Sequence, residues 1–178
     1  MSETIEIVPY DPEWPSAFAA ERDRIATALS GLALRIDHNG STSVPGLAAK
    51  PIIDIQVSVR ELQPIETYAM PLTELGYFHV PHPDDSFCPF FHKPKEWPHT
   101  HHVHVVQSGG DEEQRTLAFR DYLREHSAVA REYEDLKRAL ASQHSGDFPS
   151  REAYAEAKTE FITSLTERAL SQGYPREY

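Results

Sequence analysis

Apolar side chains fall at every second position from Ile53 to Val59, and the residues between them are Asp54, Gln56 and Ser58. A period of two predicts a strand with one face against helices and the other looking into a cleft. The full strand reads from Lys50 to Val59, with Ile52 sharing the cleft face. Upstream, Leu32 to Asp37 predicts a preceding strand, and Ile5, Ile7 and Val8 predict a short opening one. Between these two, Trp14, Phe18, Ile25 and Leu29 make a helical stripe. Asp11 stands as its N-cap, Pro12 at the first helical position, and Gly31 near its end.

Further along, Leu62, Ile65, Tyr68, Leu72 and Leu75 recur at near-helical spacing and predict a helix over residues 61–75, interrupted by Pro64 and Pro71. The prolines at 81 and 83 predict an irregular, mobile loop between Gly76 and Phe87. Two paired strands follow, Phe87 to Lys93 and His101 to Gln107, joined by a proline-bearing loop from Pro94 to Thr100. The last third reads as helical, with Asp111 and Ser127 as N-caps and Val129, Tyr133, Leu136 and Leu140 as one stripe. Gly146 to Ser150 reads as a linker, after which Ser150 caps a final helix presenting Tyr154, Phe161 and Leu165 inward. Strands first and helices last predict one α+β domain over residues 1–178, with an α/β core to about residue 110 and a helical C-terminal lobe beyond it.

Composition narrows the function classes. The chain has 178 residues, 39% of them hydrophobic and 25% charged, the pattern of a globular protein with a sizeable core. Its formal charge of −11 argues against nonspecific nucleic-acid binding, which needs a basic face. It leaves room for a small anionic ligand, for which a few local cations suffice. One cysteine, Cys88, excludes an internal disulfide or a cysteine metal cage. No apolar run approaches the length of a membrane helix, and Met1 to Val8 lacks a cationic, apolar leader pattern, so a cytoplasmic location is expected.

The residues able to carry chemistry begin with His38-Asn39-Gly40-Ser41-Thr42-Ser43-Val44-Pro45-Gly46-Leu47. A Gly-Ser turn between strands exposes backbone amides to a ligand above it, which suits a phosphate. Asp54, reachable across a short connection, can hold the metal that a phosphate carries. Seven of the ten histidines lie between His79 and His104. His102 and His104 share a strand face, so both imidazoles are placed to approach Asp54, whereas His101 projects the other way and His99 sits in a loop. Two histidines and a carboxylate suit zinc, nickel or iron(II). Hydrogen bonding of the histidines to carboxylates or ligand phosphates is the alternative. Lys50, Arg120 and Lys158 are candidate anion-binding cations, against the alternative of solvated helix charges, which weighs more for Arg124. Cys88 has no activating partner visible in the sequence and reads as a small buried residue.

Gly40 to Leu47, Lys50-Pro51-Ile52-Ile53-Asp54-Ile55, His102 to Val106, Phe119-Arg120-Asp121-Tyr122-Leu123-Arg124 and Tyr154 to Lys158 together resemble the GrpB family over nearly the whole chain. That family is similar to the nucleotidyltransferase superfamily with the polymerase-β type fold. The resemblance implies a small mixed β-sheet with helices packed on one face and an open cleft on the other. It further implies that Gly40, Ser41 and Thr42 hold a nucleotide's phosphates, that two acids one residue apart on the next strand bind magnesium or manganese, and that a third acid stands on a later strand. Asp54 takes the first place, neutral Gln56 the second, and His102 or His104 the third. The expected function is binding of a nucleotide or phosphorylated small molecule. Nucleotidyl transfer, if the site is catalytic, would then rest on Asp54, Gln56 and His104, with one divalent ion on Asp54, His102 and His104. The missing acid at position 56 favours the alternative of a noncatalytic binding or regulatory module, and zinc or nickel at a histidine site is the other alternative.

Overall fold

The computed structural model describes residues 4–144 and 148–176. Helix α1 (Trp14–Leu29) leads into strand β1 (Ala33–Asn39), and a loop then carries the chain to β2 (Ile53–Val59). Helix α2 (Glu66–Glu74) and three strands follow, β3 (Phe78–His79), β4 (Phe90–Lys93) and β5 (His101–Gln107). The last third is α3 (Asp111–Glu125), α4 (Ser127–Gln143), α5 (Phe148–Ala157) and α6 (Thr159–Ser171).

The five strands form one mixed sheet in the order β1-β2-β5-β4-β3, with β2 and β5 parallel and the other neighbours antiparallel. Ile53, Ile55, Val57 and Val59 of β2, with Val103 and Val105 of β5, pack against Ile25 and Leu29 of α1 and Tyr68 and Leu72 of α2. The period-two pattern therefore buries the face it predicts. On the opposite face Thr116 of α3 covers Gln56 of β2, while Asp54, two residues earlier on that face, stays 28% exposed. Cleft and cover share that one face. A second core of Ala118, Tyr122, Leu123, Tyr133, Leu165 and Ala169 joins α3, α4 and α6 to Val44 and Leu47 of the loop after β1. No helix among the described residues is long and apolar enough to cross a membrane.

Several boundaries differ from the sequence expectation, each for a local reason. Helix α1 begins at Trp14, not at Pro12, because Pro15 lacks a donor and is tolerated only within the first helical turn. Asp11 still accepts a hydrogen bond from the Glu13 amide at 2.9 Å. The opening strand reduces to a single bridge between Val8 and Ala49. Helix α2 starts only at Glu66, since the residue before Pro64 is pushed towards extended backbone. The loop expected between Gly76 and Phe87 contains β3 and a short 3₁₀ turn, Pro83–Ser86, capped by His82. Gly110 and His126, rather than Asp111 and Ser127, occupy the cap positions of α3 and α4. Of the expected linker, residues 146 and 147 lie outside the described residues, and Phe148 to Ser150 are already helical. The expected single final helix is two, with Lys158 at the joint.

Candidate functional site

Strand β1 ends at Asn39, and Gly40 then adopts φ +65° and ψ −171°, a conformation open only to glycine. A second requirement acts here as well: a Cβ on Gly40 would stand 2.4 Å from Asp54 Oδ2. The turn is thus pressed against the carboxylate. A 3₁₀ turn, Ser41–Ser43, follows, in which the Ser43 hydroxyl donates to the Gly40 carbonyl at 2.5 Å. The Thr42 hydroxyl is buried against the His38 ring at 2.9 Å, and that ring stacks on Phe18. Thr42 therefore braces the turn from below, its hydroxyl taken up by His38, while Ser41 is half-buried. Burial first, and then the charges of Arg124 and Arg120 against the pull of Asp54, push the His38 imidazole down to about 4, so it is neutral at physiological pH.

The helical lobe fixes this loop. Arg124 on α3 donates to the Ser43 carbonyl at 2.9 Å. On α4, Glu134 accepts from the Ala48 amide at 3.0 Å, and Lys137 donates to the Ala48 carbonyl at 2.5 Å.

Parallel pairing of β2 with β5 sets Asp54 beside His102 and Gln56 beside His104. Asp54 Oδ1 lies 3.5 Å from His102 Nδ1 and 3.8 Å from His104 Nε2. The three ligand atoms all stand within 4.8 Å of one another, close enough for one metal ion to draw them together. The side chains of Asp54, His102 and His104 are 28%, 16% and 38% exposed, so the cluster is half-open. Each imidazole has a second partner: His102 Nε2 meets His99 Nδ1 at 3.0 Å, and His104 Nδ1 faces Cys88 Sγ at 3.9 Å. Histidine ligands commonly engage the far nitrogen in this way, which orients the ring. Phe90 packs its ring 5.0 Å from both imidazoles.

The electrostatics follow from this packing. Burial raises the Asp54 carboxyl, but hydrogen bonds and charge from His102 and His104 outweigh it and hold the group well below the usual carboxylate range. Burial also lowers His102, and the pull of Asp54 recovers only part of that shift. For His104 burial again works downward, yet Asp54 and Cys88 together carry it up to about 10. A carboxylate with two imidazoles is the donor set of zinc and its first-row neighbours, and less that of magnesium, which prefers oxygen.

Other expected site residues are placed differently. Gln56 is 1% exposed beneath α3, its Oε1 accepting from Thr116 at 2.6 Å and from Asn39 at 3.2 Å. It belongs to the contact between β1, β2 and α3, because α3 crosses the sheet over that position. Arg120 is also spent structurally: it donates to Asp121 at 2.8 Å and to the His38 carbonyl at 3.2 Å, with Asp37 at 3.5 Å. Three acceptors around a buried guanidinium leave it to tie α3 to β1, not to receive an anion. Lys50 and Lys158, in contrast, both approach the Tyr154 ring, their Nζ atoms 5.2 and 4.4 Å from its centre. Sequence reasoning passed over Lys137, whose signal was a lysine among the apolar positions of α4, and over the pairing of Cys88 with His104. It also passed over His38 as a brace and Arg124 as a loop anchor.

A mixed sheet with a glycine turn at the end of one strand and an acid on its antiparallel neighbour defines a nucleotidyltransferase-like fold. A mutant of the Cid1 poly(U) polymerase, solved with MgATP, shares this fold with a TM-score of 0.50 at 13% identity, over 76% of this chain and 44% of that one. The chain itself belongs to the GrpB family, whose model, described as GrpB protein, matches residues 4–168. The crystal structure of the conserved protein GrpB from Enterococcus faecalis superposes with a TM-score of 0.82 at 36% identity, covering 94% of this chain and 98% of that one. The UPF0157 protein PA4798 of Pseudomonas aeruginosa is 42% identical over 170 residues, 94% of this chain and 68% of its own length.

Proposed function

We propose that this GrpB-family protein binds a nucleotide or another phosphorylated small molecule in the groove between the Gly40–Ser43 turn, Asp54, Lys50 and Lys158. One divalent ion, held by Asp54, His102 and His104, completes the site. The observation that carries this reading is the closeness of Gly40 to Asp54: it sets the glycine turn directly beside a cluster of metal-binding atoms. Lys50 and Lys158 supply positive charge beside them, with no ion-pair partner among the described residues. Donor chemistry favours a transition ion such as zinc, nickel, iron(II) or manganese over magnesium.

The reaction class that suits these groups is nucleotidyl transfer on a single ion, which when bound would neutralise phosphate charge and polarise the reacting phosphorus. The chain's own residues do the rest. The turn amides orient the phosphate, the lysines stabilise its charge, and Phe90 and Tyr154 limit water around it. Position 56 offers a neutral amide under a helix, so no second ion has a carboxylate to hold it there. That observation also favours a second reading, a binding module that keeps the ligand site without turnover.

Elemental analysis of untagged protein, followed by calorimetry with a nucleotide panel in the presence of zinc, manganese or magnesium, tests the proposal. Metal uptake and metal-dependent nucleotide binding, both lost in Asp54→Ala, are expected. Absence of any phosphorylated ligand from the panel at millimolar concentration, with or without metal, would overturn it. Release of pyrophosphate from a nucleoside triphosphate separates transfer from binding alone.

A further inference from the structure

The registers of β2, β5, β4 and β3 set Asp54, His102, His92 and Phe78 opposite one another, one lane across four strands. Gln56, His104 and Phe90 make the lane beside it. Residues opposite one another share a sheet face, so Phe78, Phe90 and His92 stand on the face of the metal-binding cluster. Phe91 and Val103, at the positions between, face the core instead. The glycine turn follows β1 at one edge of the sheet, and this lane runs from the cluster towards the other edge.

The loop joining β4 to β5 extends the surface. Its His99 ring stacks on His92, with centres 3.9 Å and planes 11° apart, and Trp97 meets His99 edge-on at 5.1 Å. Phe90 and Phe78 tilt against His92 at 6.1 and 6.4 Å. Five rings thus form one continuous floor. Phe78 is 38% exposed and the other four are half-buried. Among the described residues, neither apolar core takes in Phe78, Phe90 or Trp97. A contiguous aromatic surface left open beside a cleft marks a place where something flat is meant to lie.

Size and charge narrow the occupant. Strands stand about 4.8 Å apart, so the floor from β5 to β3 runs roughly 10 Å, the length of a fused pair of rings. Two cations mark its margins: Lys95 Nζ lies 5.9 Å from the centre of Phe78, and the Arg151 guanidinium 4.4 Å from the Trp97 ring. A nucleobase is neutral at physiological pH and has no charge to offer them. A flat ring with an anion on its edge would both stack on the floor and meet a cation at the rim.

We propose that Phe78, Phe90, His92, Trp97 and His99 form the site of a second ligand, a planar bicyclic aromatic anion. It lies beside the metal-binding cluster, on the side away from the glycine turn. The phosphorylated ligand and this one then meet over Asp54, His102 and His104, one from each side.

The test uses 2-naphthoate as the probe, with calorimetry and saturation-transfer NMR on the full chain, first free of metal and then with zinc and ATP. Without metal, the carboxylate has no ion to bind. 2-Naphthoate should still bind at least about tenfold tighter than cyclohexanecarboxylate, which lacks the flat ring, and than naphthalene-2-carboxamide, which lacks the charge. Trp97→Leu and His92→Leu should each weaken it about tenfold, and Trp97→Phe should restore most of the affinity. Lys95→Met combined with Arg151→Met should bring 2-naphthoate down to the level of the carboxamide, and saturating ATP should not displace it. Equal affinities for the three probes, or no effect of the ring variants, would overturn the proposal. Displacement by ATP would overturn it as well, by showing that the floor holds the nucleotide's own base. None of these results touches the phosphorylated-ligand reading. Conversely, 2-naphthoate binding as described in a protein that takes no nucleotide would remove that earlier reading and leave the aromatic site standing.

Discussion

Gly40→Ala tests the contact that joins the loop to the acid. The added methyl would meet Asp54 Oδ2 at 2.4 Å and the Asp54 Cβ and Cγ at 2.9 Å. Oδ2 can swing aside, but Cβ sits on the β2 backbone, so relief requires the turn and strand to separate. Overlap of this kind costs about 1–3 kcal/mol. The backbone at φ +65° and ψ −171° imposes a further cost of about 1–3 kcal/mol on any residue with a Cβ. A loss near 4 kcal/mol is therefore expected, which for a chain of this size lowers the melting temperature by roughly 10 °C. Gly46→Ala is the control: its φ is +81°, but nothing lies within 4 Å of the new atom, so roughly 1–2 kcal/mol of backbone strain is its whole cost. Urea denaturation of Gly40→Ala, Asp54→Gly and the double variant isolates the overlap, because single-site effects cancel in the cycle. A favourable coupling of about 1–2 kcal/mol is expected. Strictly additive losses would refute the claim that the turn rests on the carboxylate.

Three further outcomes follow from the same geometry. His99→Phe keeps an aromatic ring beside His92 and Trp97 but removes the partner of His102 Nε2, so metal affinity by competitive chelation should fall roughly 10–100-fold with the melting temperature nearly unchanged. Gln56→Glu places a second oxygen where the Gln56 Nε2 has no partner, so the protein should lose about 3 kcal/mol at pH 7. That loss should shrink as the pH falls through about 4.3 and vanish near roughly pH 3, where the new carboxyl is protonated in both states, and wild-type stability at pH 7 with a second bound ion would contradict the burial of position 56. Glu21 is 1% exposed; burial raises its carboxyl, but hydrogen bonds from Lys93 and Tyr77 and the charge of Lys93 outweigh it and leave it below its ordinary value of 4.5. A depressed carboxyl stabilises the folded state above pH 4.5 and ceases to do so as the pH falls, so acid unfolding should be less steep in Glu21→Gln than in the wild type.

Local patterns carried much of the fold. Alternation along residues 52–59 placed Asp54, Gln56 and Ser58 on one face because strand geometry needs no partner to be read. The pairing of Phe87–Lys93, of which the structure keeps Phe90–Lys93 as strand, with His101–Gln107 was legible for the same reason, and His102 and His104 stand on the side of Asp54. What the sequence concealed depends on elements distant along the chain. Gln56 looks like a cleft residue until α3 crosses over it, and Thr116 is sixty positions away. Arg120 looks like a surface cation until the His38 carbonyl, eighty-two positions earlier, receives it. The bond from Lys137 to Ala48 and the approach of Cys88 to His104 are likewise products of packing, with no spacing rule to announce them.

The grip of α3 and α4 on the loop bears on how the protein can be divided. The carbonyls of His38, Ser43 and Ala48, and the amide of Ala48, all find their partners in side chains beyond residue 110. A fragment stopped there would retain its strands yet leave four main-chain groups to water or to nothing, and the turn beside Asp54 would lose its shape. The join between the front and rear of this chain is a seam in the sequence and a rivet in the molecule.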